Sequence, residues 1–305
     1  MKKRNLLALL LCLVMLLSVF TLVACNPDTN EKPNDQTEDD GGKKDDTPPA
    51  DPDKDKKPET NANPLYGKTI IWNGDSICYG SSAHGNWATR IAANNGLKDW
   101  AWKNYGVGGG TITENTKPLQ SGKARHSVCA TLDQMYEEFP NADYIIIEGG
   151  TNDADLLGKI TNGAYTPDFG YYDINDFDGN YNTDTFCGAL ESIFYRAKEL
   201  WPEAKICYIV AQKMGLDATQ AATVANRYAY FQAAMAICEK WEIPYLNLWD
   251  DCDLDPNNPQ MFDPSKSADE NEETSFAMYR DGQHLTAKGY DYTTAIIEAW
   301  LKALK

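Results

Sequence analysis

The sequence predicts an α/β domain in which a five-stranded parallel sheet lies between two layers of helices. Three observations carry this. Short β-branched runs alternate with helix-period segments from Thr69 to Leu304. Two of those runs are apolar on both faces, as strands covered above and below must be. Glycine-rich or Asn/Asp-rich turns follow the strands, where open parallel sheets gather their ligands.

Taken in order, Thr69–Asn73 is a buried first strand ending at Gly74, and Asn86–Asn95 a helix stopped by Gly96. Trp100–Tyr105 reads as the second strand, closed by Gly106-Val107-Gly108-Gly109-Gly110. Ser127–Phe139 has helical spacing in Val128, Leu132, Met135 and Tyr136. Tyr144–Glu148 is the third strand and Asp184–Trp201 a helix with Pro202 beyond it. Lys205–Val210, Ala218–Trp241, Pro244–Leu248 and Thr286–Leu304 complete the alternation as strand, helix, strand and helix. Right-handed crossovers between parallel strands then give a flavodoxin-like three-layer α/β/α sandwich.

The residues before this domain have a different composition. Lys2, Lys3 and Arg4 precede an apolar run from Leu6 to about Val23, the pattern of a secretory signal peptide rather than a lasting membrane span. The run ends in Leu22-Val23-Ala24-Cys25, which resembles the lipobox of bacterial lipoproteins. That resemblance implies a signal peptide over 1–24, lipid on Cys25, and attachment to the outside of the cell membrane through acyl chains. Residues 25–63 follow as an acidic stretch without aromatic or large aliphatic side chains. Such a stretch cannot offset its ordering entropy and is expected to be a disordered tether. Residues 64–305 make the folded domain, about 240 residues and enough for one substantial core.

Charge and cysteine content narrow the function. Of the formal charge of -17, the N-terminus contributes about +3 and the tether about -6, leaving about -14 on the domain. That balance argues against nucleic acid and anionic lipid head groups as partners. Cys78, Cys129, Cys187, Cys207, Cys238 and Cys252 show no paired spacing; Cys129, Cys207 and Cys238 sit in apolar periodic segments and read as buried thiols. With only His84, His126 and His284, no spacing suits zinc, and neither a metal nor another cofactor is expected. The glycine run lacks a P-loop lysine and the strand–helix context of a dinucleotide fingerprint.

Four strand-end pieces carry chemistry. Ser76, in Gly74-Asp75-Ser76-Ile77, opens a helix past the first strand, with its hydroxyl at the sheet edge. Gly109 stands in a loop whose backbone can approach a ligand. Asn152, in Gly149-Gly150-Thr151-Asn152-Asp153, offers an uncharged donor to a developing oxyanion. Asp281 and His284, three residues apart in a tight loop, can share a hydrogen bond that fixes the imidazole tautomer. Singly, each piece has a structural reading: Ser76 as a helix cap, the glycines as positive-φ positions, Asn152 as a turn residue, and His284 as a surface histidine.

Together, in this order, the pieces resemble the GDSL-type, or SGNH, hydrolases, with Ser76, Gly109, Asn152 and His284 on the four blocks and Asp281 before the histidine. Gly-Asp-Ser-Ile stands here for the usual Gly-Asp-Ser-Leu. The resemblance implies a metal-free serine esterase with Ser76, His284 and Asp281 as triad, and Ser76, Gly109 and Asn152 as oxyanion donors. Asp75 then supports the Ser76 turn, and Cys78 is packing. The insert Asp153–Thr183 holds Tyr165, Phe169, Tyr171, Tyr172, Phe177 and Tyr181, which could stack on sugar rings over the site or fill a small core of their own. Asp250–Arg280 is expected to form another wall of the site. Three functions follow: an O-acyl (acetyl) esterase on extracellular carbohydrate, a lipase or lysophospholipase, and a non-catalytic glycan-binding lipoprotein. The first fits the acidic surface and the aromatic insert, and the second would favour an exposed aliphatic lid that the sequence does not show.

Overall fold

The computed structural model describes residues 63–81, 84–114, 122–158 and 166–304. The expected signal peptide, lipidated Cys25, most of the tether and Tyr165 lie outside them.

Five strands form one parallel sheet in the order β2-β1-β3-β4-β5. They are β1 (Ile70–Asn73), β2 (Trp102–Asn104), β3 (Tyr144–Glu148), β4 (Lys205–Val210) and β5 (Tyr245–Asn247). β1 and β3 are buried at every position, as central strands with helices on both faces require. Their register pairs Ile71 with Ile145 and Asn73 with Ile147. β2 is an edge strand bonded only to β1, and it is shorter than the sequence suggests. Asp99–Ala101 winds into a 3-10 turn before it, and Trp100 stands 73% exposed, so no partner pulls that segment into the ladder.

The helices are α1 (Ser76–Tyr79), α2 (Trp87–Asn95), α3 (Val128–Glu138), α4 (Thr151–Leu156), α5 (Phe186–Leu200), α6 (Asp217–Trp241), α7 (Leu248–Asp251), α8 (Ala268–Glu273) and α9 (Ala287–Ala303). α2 begins at the Asn86–Thr89 capping box and ends at Gly96 in the left-handed conformation that glycine takes at least cost. It packs on α9, where the Trp87 indole donates to Thr293 Oγ1 at 2.9 Å and its ring meets Tyr290 edge-on. α3, α5 and α6 pack in succession as another layer. Strand order and layers are those of the flavodoxin-like sandwich. The six cysteines of the domain are all buried free thiols.

The insert resolves into α4 and a loop held by its own aromatics. Phe169 is buried against Phe186 and Tyr230. Phe177 and Tyr181 lean on Trp241, and both rings cover Lys240. Beneath them, Lys240 and the Trp241 indole donate to the buried carboxylate of Glu191 at 2.7 Å. These rings therefore serve a local core on α5 and α6, and the stacked pair Tyr171–Tyr172 offers the exposed face, with Tyr171 82% accessible.

Candidate active site

The carboxyl ends of β1 and β3 and the loop before α9 bring the predicted residues together. Asp75 caps α1: its Oδ1 accepts the Ile77 amide at 2.8 Å, which turns the chain sharply and sets Ser76 as the first helical residue. Ser76 Oγ lies 2.9 Å from His284 Nε2. On the other side of the ring, His284 Nδ1 is 2.8 Å from Asp281 Oδ2. An acceptor-only carboxylate assigns the proton to Nδ1, leaving Nε2 free to accept the serine proton.

The Asp281–His284 loop makes its own geometry. Asp281 Oδ1 accepts the amides of His284 at 2.7 Å and Gln283 at 3.0 Å, so the carboxylate closes the turn that carries its partner. Burial pushes the Asp281 carboxyl up, but the ring and amide hydrogen bonds outweigh it and hold the group down at about 2. His284 is raised above 6.5, chiefly through its bond to Asp281, against the lowering effect of burial. The stretch 250–280 buttresses this loop. Buried Asn271 donates to the carbonyls of Asp263 and Arg280, and Arg280 is paired with Asp269. The Gly215 amide donates to Gly282 and the Gln212 amide group to the Gln283 carbonyl, tying the loop to the end of β4.

The donor side is built from the glycine loop and α4. Gly109 adopts φ +77°, a conformation that favours glycine. Among the described residues the amides of Ser76 and Gly109 donate to no protein acceptor. Asn152 Nδ2 donates to the Gly110 carbonyl at 2.8 Å, which uses one of its two protons and fixes the amide beside the loop. Asp153, fully buried, accepts the amides of Ile112 and Thr113 at 2.9 and 3.1 Å and so clamps the loop to α4; burial pushes its carboxyl up to about 7.

Sequence reasoning passed over three residues at this edge. Arg125 donates to the Gly109 carbonyl. His126 Nε2 lies 2.9 Å from Asn73 Oδ1, and burial lowers its basicity. Glu148, at the end of β3, reaches under α1: its Oε2 accepts the amides of Asp75 and Cys78 at 3.2 and 3.3 Å. Glu148 alone left a signal, a carboxylate closing an otherwise apolar strand. Cys78 is buried beside it, where burial pushes its thiol well up, so it packs and does not ionise.

A parallel α/β sandwich with a serine, an imidazole and a carboxylate in hydrogen-bonded series at the strand ends has the architecture of a serine hydrolase. Residues 73–292 match the model of the GDSL-like lipase/acylhydrolase family, and the chain belongs to that family. It is accordingly a carboxylic ester hydrolase acting on acyl esters. A comparison with curated proteins gives no match. Among solved structures, a protein from Lactobacillus plantarum is similar at 20% identity, covering 78% of this chain and 98% of its own, with a TM-score of 0.56. A carbohydrate acetylesterase from Sinorhizobium meliloti is similar at 15% identity, over 78% of this chain and 100% of its own, with a TM-score of 0.49. A GDSL-like lipase from Bacteroides thetaiotaomicron is 19% identical over 78% of this chain and 89% of its own, with a TM-score of 0.46. At 20% identity the likeness to the Lactobacillus plantarum protein is one of fold.

Proposed function

We propose that the protein is an esterase that removes short acyl groups, acetyl above all, from carbohydrate outside the cell, using Ser76, His284 and Asp281. The observation that carries the chemistry is the 2.9 Å approach of Ser76 Oγ to His284 Nε2, with Asp281 on Nδ1 at 2.8 Å. Ser76 Oγ attacks the ester carbonyl carbon while its proton passes to Nε2. The carbonyl oxygen takes up the negative charge, facing the Ser76 and Gly109 amides and the second Asn152 proton. Collapse of the tetrahedral adduct breaks the ester bond, and His284 returns the proton to the departing sugar hydroxyl. Water then repeats the sequence on the acyl-enzyme: it gives a proton to His284, attacks the acyl carbon and releases the acid with Ser76 restored.

The preference for a short acyl group draws on the surface. A long chain would need an apolar channel at Ser76. Among the described residues, large exposed hydrophobics such as Tyr79, Trp100 and Tyr171 are scattered and mostly aromatic rather than gathered into an aliphatic face. The charge of about -14 disfavours anionic lipid surfaces. Lipid on Cys25 would keep the domain at the outer membrane face within reach of glycans. Acyl chain-length profiling tests the substrate. A sharp preference for acetyl nitrophenyl ester, with acetate released from acetylated oligosaccharides, supports sugars; a rate that climbs toward long chains supports a lipase. For the anchor, Cys25→Ala should move the protein from the membrane fraction to the medium, and unchanged membrane attachment would refute it.

A further inference from the structure

Two carboxyl groups lie buried directly beneath the nucleophile turn. Asp75 and Glu148 are 1% and 0% exposed, and among the described residues no lysine or arginine forms an ion pair with either. Both accept amides of the turn from Asp75 to Cys78. Glu148 Oε2 accepts the amides on either side of Ser76 and its successor, and it stands so close to Gly74 that a Cβ there would come within 2.7 Å of it. Asp75 Oδ1 accepts the Ile77 amide. The other oxygens, Asp75 Oδ2 and Glu148 Oε1, are buried and have no hydrogen-bond partner within 3.5 Å among the described residues; the Thr151 hydroxyl also faces the Asp75 carboxyl, but it is directed to Met214 Sδ at 3.7 Å. Glu148 Oε2 sits on the Asp75 amide at 3.2 Å, and each carboxyl group shifts the other's titration through a side-chain hydrogen bond. Two ionised carboxylates buried on one turn and out of water would repel each other with no solvent to screen them, whereas one proton shared between the pair removes that repulsion.

We propose that Glu148 is a neutral carboxylic acid at physiological pH, donating its proton to the Asp75 carboxylate, and that this shared proton makes Glu148 a positioning residue for Ser76. The choice of which group stays ionised follows from the neighbours. The titratable groups facing the pair are Cys78 on α1, Asp153 on α4, Tyr208 on β4, Tyr290 on α9 and His284 on the loop before it. His284 alone among them can become a cation, and it acts on Asp75. Asp75 also has the shorter amide bond, 2.8 Å against 3.2 and 3.3 Å for Glu148. Burial, followed by the charge of Asp75, pushes the Glu148 carboxyl well up, in agreement. A single negative charge then lies under the site and favours the imidazolium formed when Ser76 gives up its proton. A second one would over-stabilise that cation and slow its return of the proton.

The inference rests on Ser76 being the nucleophile only for its kinetic consequence, so the test separates the two. Infrared spectra of the full chain with carbon-13 glutamate, taken at neutral pH, should contain a protonated-acid carbonyl band that shifts with the label. The band should persist in Ser76→Ala and vanish in Glu148→Gln. A spectrum with no such band overturns the proposal whatever Ser76 does. In turnover, Glu148→Gln keeps a donor for Asp75 and an acceptor for the amides, and its kcat should stay within about threefold of the parent. Glu148→Leu should lower kcat by about 10²-fold with KM little changed, through a misplaced nucleophile. Glu148→Gln as damaging as Glu148→Leu would also overturn it. If Glu148→Leu fails to fold, the spectrum and the glutamine variant still decide.

Discussion

Asp75 and Asp281 flank the reacting pair from opposite sides and live in opposite environments. Asp75 is sealed under α1 with Glu148, and Asp153 is buried nearby on α4. Asp281 sits in a loop with 42% of its side chain exposed and has its partner three residues away. The serine side is thus set by long-range buried contacts that the whole sheet edge must form. The histidine side is set by a turn that closes on itself. Changes on the first side should reach stability as well as rate, whereas changes on the second should reach rate and pH dependence with little effect on folding.

The largest expected effect is on the second side. His284→Ala should lower kcat on a short acyl ester by on the order of 10⁴-fold or more, with the melting temperature close to that of the parent; a large drop in melting temperature would erase the contrast. Next, Asp281→Asn should lower kcat by about 10³- to 10⁴-fold and move the acidic limb of the pH–rate profile. Activity needs neutral His284, whose titration lies above 6.5 chiefly because of Asp281. The parent's limb should therefore fall above pH 6.5, and the variant's should shift down; an upward shift would contradict the assignment. Asn152→Ala should cost about 10²–10³-fold in kcat through one lost oxyanion donor, and should also loosen the Gly110 carbonyl it holds.

The smallest effect concerns stability against pH. Asp153 is raised from 3.8 to about 7 in the folded chain, and Asp75 and Glu148 are raised too. The folded state therefore binds more protons than the unfolded chain between about 4 and 7. Stability from these groups is greatest at the acid end of that window and declines as pH rises through it. His284, also raised, acts in the same direction above 6.5. The low value of Asp281 opposes them only below its ordinary 3.8. The melting temperature should thus rise by a few degrees from pH 7 to about pH 5, and Asp153→Asn should flatten the rise. A fall over that range would refute the reading of the buried side.

The same contrast explains what could be read from the chain. Asp281 and His284 signal each other across three residues, and Ser76, Gly109 and Asn152 follow strands whose apolar runs are plain. Glu148 acts on a turn about 70 residues away, a distance at which no local pattern connects a strand-end carboxylate to a serine. Leu248 reads as the end of β5, but the Asn247 side chain caps a new turn there and starts α7. Asp153 onward reads as the start of the insert, with no helix before Asp184, yet Thr151–Leu156 form a short helix that begins after Gly150 with φ +104°. The insert's aromatics have the composition of a sugar platform, and only packing shows that Phe169, Phe177 and Tyr181 face Tyr230 and Trp241.

Whether the hydroxyl of Ser76 is the atom that becomes acylated can be read directly with a fluorophosphonate probe and peptide mapping. A single adduct on Ser76, lost in Ser76→Ala together with ester hydrolysis and strongly slowed in His284→Ala, is the expected result. Undiminished hydrolysis by Ser76→Ala, or an adduct on another residue, would contradict it.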